Sequence, residues 1–299
     1  MTDHISSHQA KEDARNEAIL IYVNGRILPK AEAVVSVYDA GFMLGDGVWE
    51  GIRLYDGRWA FLDEHVERLF EAAKAIDLDI AMTPDQVKSA VSETQKANGM
   101  TTDVHARLMV TRGVKTRPFQ HPKLSQRGPT VAIIMEHSRP ELPRPIRLAT
   151  VPHMRGLPMT QDPKLNSHSK LNCILACIAA EKAGADEALM LDVHGFVNTT
   201  NACNFFIVRK GQVWTSTGDY CMNGITRGKV IQLCRDNGIP VFERNFSLVD
   251  VYSAEEAFLT GTFGAQTPVG VVDGRRIGTG QMGPMTDRLR TLYKALVAA

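Results

Sequence analysis

The chain has 299 residues, of which 44% are hydrophobic and 22% charged, and its formal net charge is +1. That length and apolar content suit one large or two ordinary globular domains and exclude a disordered chain. Balanced charge with no block of five or more basic residues offers nothing to nucleic acid or a membrane surface, and no apolar run approaches the roughly 20 residues of a bilayer span, so a small-molecule partner is expected.

Residues 1–18 are polar, lack the apolar segment of a signal peptide and read as a frayed leader. "ILIYV" then runs into a turn at Asn24-Gly25, and "GVWEGIRLY" turns at Asp56-Gly57 into "RWAFL"; both dipeptides are strong hairpin signals. After Asp63, the positions Val66, Leu69, Phe70 and Ala73 follow a helical stripe. A second helix has Thr83 as N-cap, Pro84 at its first position, Gln86 completing a capping box and Gly99 as its stop. The strands "VHARLMVTR" and "TVAIIME" complete a small N-terminal domain over 19–137.

Three prolines within residues 138–145 can continue neither a ladder nor a helix, so the domain linker is placed there. A larger C-terminal domain over 146–299 follows. It opens with "IRLATV" and a helix from about Lys170 to Ala183, stopped by Gly184, whose Leu171, Ile174, Leu175 and Ile178 make one apolar stripe. "EALMLD", "NFFIVR" and "QVWTS", the last two joined by a tight turn at Lys210-Gly211, read as a locally paired antiparallel meander. A helix in "NGITRGKVIQLCRDNG", the strands "AFLTGT" and "PVGVV", a hairpin at Asp273-Gly274 and a terminal helix from about Pro284 end the chain. The class is α+β, with no doubly wound parallel sheet.

The five cysteines are odd in number and form no CxxC pair, which points to reduced thiols in the cytoplasm and to no metal site. Cys173 and Cys177 share a helical face and are expected to be small buried apolar residues. "GTGQMG" at 278–283 fits a dinucleotide fingerprint only in spelling, because no βαβ unit follows it. "NGITRGK" at 223–229 opens a helix whose first N–H groups lack internal partners, either an anion site or an ordinary N-cap, and "LTGTFG" could bring a further hydroxyl to the same anion. In "QDPKLNSHSKLNCILA", Lys170 sits where a helix dipole would lower the pKa of a nucleophilic amine, whereas Lys164 follows a proline in a polar loop.

The motifs "GDGVWEGIRLYDG", "LDEHVERL", "AGADEALMLD", "NGITR", "TGTFGAQTPV" and "GPMTDRL" occur in one order from about residue 19 to 298. In that order the chain resembles the class IV, fold-type IV, pyridoxal-phosphate aminotransferases, the branched-chain and D-amino-acid aminotransferase family. The resemblance implies a two-domain fold of the D-amino-acid aminotransferase kind with a β-barrel-like core in the large domain, pyridoxal 5'-phosphate as cofactor, an amino acid and a 2-oxo acid as substrates, and a homodimer. It places Arg68, Ile225, Thr226 and Thr262, with Phe263 beside it, at the cofactor phosphate. Trp49, Arg107 and Arg117 fall on the substrate side, where a carboxylate suits a guanidinium fork.

Two positions depart from the family pattern. Aligning "DP" and "LNCILA" without a gap puts Asn166 at the lysine position, and Lys170 four residues later, one helical turn along the same face with about 5–6 Å between Cβ atoms. Lys170 is therefore expected to supply the amine and the proton transfer, with Lys164 pointing elsewhere. Thr199 stands where a glutamate would pair with the cofactor's ring nitrogen, and a neutral hydroxyl weakens the ring as an electron sink. A lyase of the same fold, similar to aminodeoxychorismate lyase, and a cofactor-binding homologue with little activity are the alternatives.

Overall fold

The computed structural model describes residues 10–140 and 144–298; the expectations that fall on residues 1–9, 141–143 and 299 lie outside them. The described residues form two compact units, one built from Lys11–Arg139 with Leu165–Lys170, the other from Pro140–Lys164 and Leu171 onward with Ala10. The short segment 165–170 thus belongs to the first unit although the chain on either side of it belongs to the second.

In chain order the first unit holds β1 (Leu20–Val23), β2 (Arg26–Pro29), α1 (Ala40–Leu44), β3 (Gly47–Tyr55), β4 (Arg58–Trp59), α2 (Leu62–Ala75), α3 (Pro84–Ala97), β5 (Val104–Thr111) and β6 (Thr130–His137). Its strands form one antiparallel sheet in the order β2-β1-β6-β5-β3-β4. Val48, Ile52 and Leu54 alternate along β3 toward a core that contains Val66 and Leu69 of α2 and Val87 and Val91 of α3. Each such side chain contributes about 1.5–3 kcal/mol by leaving water. Thr83 and Gln86 make the expected capping box at the start of α3.

Two expectations change in this unit. The strand after Asp56-Gly57 stops at Trp59, because Phe61 adopts φ 56° and becomes the N-cap of α2. Part of the leader is tied down: Asn16 Nδ2 donates to the His137 carbonyl at 2.9 Å, and the His137 N–H donates to Asn16 Oδ1 at 2.8 Å.

The second unit holds β7 (Ile146–Thr150), α4 (Leu171–Lys182), β8 (Glu187–Leu191), β9 (Val197–Thr200), β10 (Asn204–Arg209), β11 (Gln212–Thr215), α5 (Ile225–Asp236), β12 (Val241–Glu243), α6 (Leu248–Tyr252), β13 (Glu256–Gly261), β14 (Ala265–Val272), β15 (Arg275–Arg276) and α7 (Pro284–Ala298). The strand order β12-β11-β10-β13-β14-β7-β8-β9, with β9 also pairing β10, closes a ring of β10, β13, β14, β7, β8 and β9. One apolar cluster draws Phe205, Leu259, Val269, Leu148, Leu189 and Val197 from all six ring strands and fills its interior. Phe206 and Phe258 point to the opposite face, where they pack with α5 and α7.

The expected antiparallel meander is present, running β8, β9, β10 and β11, but the sheet as a whole is mixed: β7 is parallel to both β14 and β8, and β11 is parallel to β12. Helix α4 turns the expected apolar stripe outward. It buries Ala176 and Ala180 against Ala188 and Met190, while Leu171, Ile174, Leu175 and Ile178 are 67%, 52%, 42% and 42% exposed. Cys177 is likewise exposed and Cys173 only half-buried, so neither is the buried residue expected.

Candidate active site

In the first unit one polar cluster is centred on Glu50, a carboxylate on the helix-facing side of β3 and fully buried. Arg68 of α2 meets it as a two-pronged pair, Nε to Oε1 at 2.8 Å and Nη2 to Oε2 at 2.7 Å, and His65 Nδ1 lies 2.7 Å from Oε2. His65 and Arg68 are one turn apart on α2, so both reach the same acid. Burial alone would raise Glu50, but the hydrogen bonds from His65 and Arg68 outweigh it and hold the carboxyl below its ordinary range. The guanidinium that the sequence singled out is therefore oriented by two residues it did not, Glu50 and His65. The signal available was an acid in a strand pattern followed by His and Arg at helical spacing.

Trp49 points to the other face of the β3 strand. Gly51 pairs with Arg107 across the ladder, and the Arg107 guanidinium lies 3.8 Å from the Trp49 ring centroid. Burial lowers Arg107 from its usual range. Lys170 Nζ is 5.7 Å from the same ring centroid. Segment 166–168 runs along the edge of β3: the Trp49 N–H donates to the Asn166 carbonyl at 3.0 Å, the His168 N–H to the Gly47 carbonyl at 2.9 Å, and Ser167 forms a β-bridge with Val48.

That edge pairing corrects the geometry expected for Lys170. Helix α4 begins only at Leu171, so Asn166 and Lys170 are not one helical turn apart. In extended chain four residues span about 13 Å. Lys170 is nevertheless half-buried with Trp49, whereas Lys164 is exposed and capped locally, its N–H donating to Asp162 Oδ1 at 2.9 Å. Asn166 is 3% exposed with its Oδ1 lacking a partner. His168, which the sequence did not single out, sits 3.1 Å from the Val48 carbonyl through Nε2; burial, with Arg107 and Lys170 nearby, pushes it below its usual range. Arg117 is exposed in the loop after β5, and the guanidinium stacked on Trp49 is that of Arg107. The buried Lys115 two residues before it donates to the His121 carbonyl at 3.1 Å.

In the second unit a β-bulge orients a separate row of polar side chains. Met190 pairs with Thr199 but Leu191 with Val197, so Asn198 is the extra residue and the alternation reverses across it. Val197 faces the ring interior, and Thr199 faces outward with Met190, on the side covered by α4. Register then carries one row across the sheet, Thr199 to Asn204 to Thr260 to Gln266, all on that outer face. The Thr199 hydroxyl donates to the Cys203 carbonyl at 2.6 Å.

Asn204 ties this row to the start of α5 by donating from Nδ2 to the Met222 carbonyl at 2.9 Å. A Cβ on Gly224 would collide with the Asn204 side chain, which explains a glycine as the extended N-cap there. No side chain caps α5, so its first N–H groups and the buried Thr226 are left for an anion. Thr262 and the buried Phe263 form the turn between β13 and β14, directly after Gly261, where a Cβ would stand 2.9 Å from Cys203 Sγ. Thr199, Ile225, Thr226, Thr262 and Phe263 thus converge on one end of one sheet.

Residues 47–272 match the amino-transferase class IV family. The chain belongs to that family. It is 40% identical over 277 residues to a putative branched-chain-amino-acid aminotransferase of Methanocaldococcus jannaschii, covering 92% of this chain and 95% of the relative. It is also 40% identical over 283 residues to branched-chain-amino-acid aminotransferase-like protein 2 of Arabidopsis thaliana; there the chain spans about half of the relative, 51%, with 94% of its own length. Its fold superposes with a TM-score of 0.88, at 32% identity and 94% coverage of both chains, on a T.th. branched-chain amino acid aminotransferase complexed with N-(5'-phosphopyridoxyl)-L-glutamate.

Class IV aminotransferases use pyridoxal 5'-phosphate, and this class IV chain carries donors that fit it. An uncapped helix start beside threonine hydroxyls matches a phosphate, and the outward Thr199 offers a hydroxyl to a ring. No helix among the described residues is long and apolar enough to cross a membrane.

Proposed function

We propose that this chain is a pyridoxal-phosphate-dependent aminotransferase that moves an amino group between an amino acid of branched-chain type and a 2-oxo acid. The observation that carries the reading is the uncapped start of α5 joined through Asn204 to the outward-facing Thr199, an anion cradle and a ring contact built into one sheet end of a class IV chain. Bound there, the cofactor supplies electron withdrawal from the substrate's α-carbon. The residues supply the rest. The α5 N–H groups with Thr226 and Thr262 bind phosphate, and Arg68, oriented by Glu50, is the first unit's own anion donor. Lys170 Nζ carries the cofactor and moves the substrate's α-proton. Trp49 walls the substrate side with an apolar surface suited to an aliphatic side chain, and Arg107 takes its carboxylate, with Arg117 as a second candidate from the loop.

The outward Leu171, Ile174, Leu175 and Ile178 support a homodimer, since a monomer leaving that stripe in water gains nothing from it. Sedimentation of Ile174→Arg checks this: a monomer is expected where the unaltered chain is a dimer. The five free cysteines fit a cytoplasmic location. For the activity itself, glutamate should accumulate when an aliphatic amino acid and 2-oxoglutarate are supplied, and borohydride reduction of the holoenzyme should label Lys170. No glutamate from any amino donor, or a label on Lys164, would refute the respective assignment.

A further inference from the structure

Next to Thr199 lies a cation that has no carboxylate partner among the described residues. Arg155 donates from Nη2 to the Thr200 carbonyl at 3.0 Å and from Nη1 to Cys173 Sγ, in the first turn of α4, at 3.2 Å. It therefore bridges α4 and the end of β9 on the same outer face to which the bulge turns Thr199. Its Nε is buried and has no partner, a donor left over after the other two nitrogens are engaged. The adjacent strand β8 carries an acid, Glu187, whose Oε2 accepts from the Thr200 hydroxyl at 3.2 Å. Thr200 pairs with Leu189, which fills the ring interior, so that carboxylate belongs to the opposite face of the sheet.

A pyridine nitrogen keeps its proton when an anion faces it and loses it when the neighbours are neutral or positive. The Thr199 hydroxyl hydrogen is already given to the Cys203 carbonyl, so it presents only a neutral lone pair. The buried Nε–H of Arg155 lacks an acceptor, and an unprotonated ring nitrogen is one, whereas a protonated nitrogen is a competing donor. We propose that Arg155, together with Thr199, keeps the cofactor's ring nitrogen unprotonated in this enzyme, making the ring a weaker electron sink. The inference rests on the assignment of Thr199 to the ring nitrogen under the proposed function.

The test is 15N NMR of the holoenzyme reconstituted with pyridoxal 5'-phosphate labelled at the ring nitrogen. The resonance should lie at the unprotonated-pyridine position through neutral pH. Thr199→Glu should move it to the pyridinium position, and Arg155→Gln should shift it in the same direction. A pyridinium resonance in the unaltered holoenzyme overturns the proposal, and if Glu187→Gln then removes it, Glu187 is the controlling group. A resonance that Thr199→Glu moves but Arg155→Gln leaves in place removes Arg155 from the account. Failure of the protein to bind the labelled cofactor at all sinks the functional reading beneath it, a result distinct from either. Should Arg155→Gln not fold, Arg155→Met takes its place in that comparison, and the signal of the unaltered protein decides the protonation state of the ring nitrogen.

Discussion

The two units treat positive charge in opposite ways. In the first, each site cation has a fixed companion: Arg68 has the buried carboxylate of Glu50, and Arg107 has the face of Trp49. In the second, the start of α5 is uncapped and Arg155 is met by a carbonyl and a sulfur. A cation already paired is oriented in advance but partly neutralised, while donors left without partners hold their full attraction for a ligand. The first unit thus aims its groups, and the second reserves its groups for binding.

The largest expected effect breaks the first unit's side of this contrast. Lys170→Ala should lower kcat/KM by about 10²- to 10⁴-fold, the usual share of a positioned proton-transfer group, while Lys164→Ala leaves it near the unaltered value. Equal losses in both variants would detach the amine from the Trp49 face. Next, Glu50→Gln leaves Arg68 and His65 without their anion and should cost about 3–5 kcal/mol in urea unfolding. The pH dependence has a definite sign. Glu50 is held below its ordinary value of 4.5, so its contribution is present above that value and is lost as pH falls through the lower folded value. Acid unfolding of the unaltered chain should accordingly be steeper than that of Glu50→Gln.

On the second unit, Thr226→Ala or Thr262→Ala should each weaken cofactor binding by about 10- to 100-fold, matching a lost hydrogen bond to a charged group of roughly 1.5–3 kcal/mol, with little change in the urea midpoint. A large fall in stability instead would make these hydroxyls part of the scaffold. The smallest effect is Trp49→Leu. Loss of the ring under Arg107 should cost about 0.5–2 kcal/mol, read as a rise in KM with kcat less affected.

What the sequence disclosed followed local rules. The Thr83-Gln86 capping box and the turns at Asn24-Gly25, Asp56-Gly57, Lys210-Gly211 and Asp273-Gly274 all occur where their spelling places them, each turn with positive φ. These depend on a few consecutive residues. Features set by distant pairing were hidden. The parallel partners of β7 lie far along the chain, and the stripe on α4 has helical spacing whichever side is wet. Segment 166–170 reads like a helix mouth because Leu171 begins an apolar repeat, yet hydrogen bonds to Gly47 and Trp49 keep it out of the helix. The uncapped start of α5 was legible as a helix opening with a threonine. Glu50 and Arg155 were not, since a buried acid and a half-buried arginine look like ordinary charges until their neighbours are known.

The same edge pairing has a consequence for solubility. Strand β4 covers β3 only at Leu54 and Tyr55, so the Gly47–Trp49 end of that border is closed by residues 166–168. Uncovered strand borders invite pairing with other chains. The loop that carries Lys170 is therefore also a guard against self-association, and changes that pull it from β3 should yield aggregates before any loss of activity.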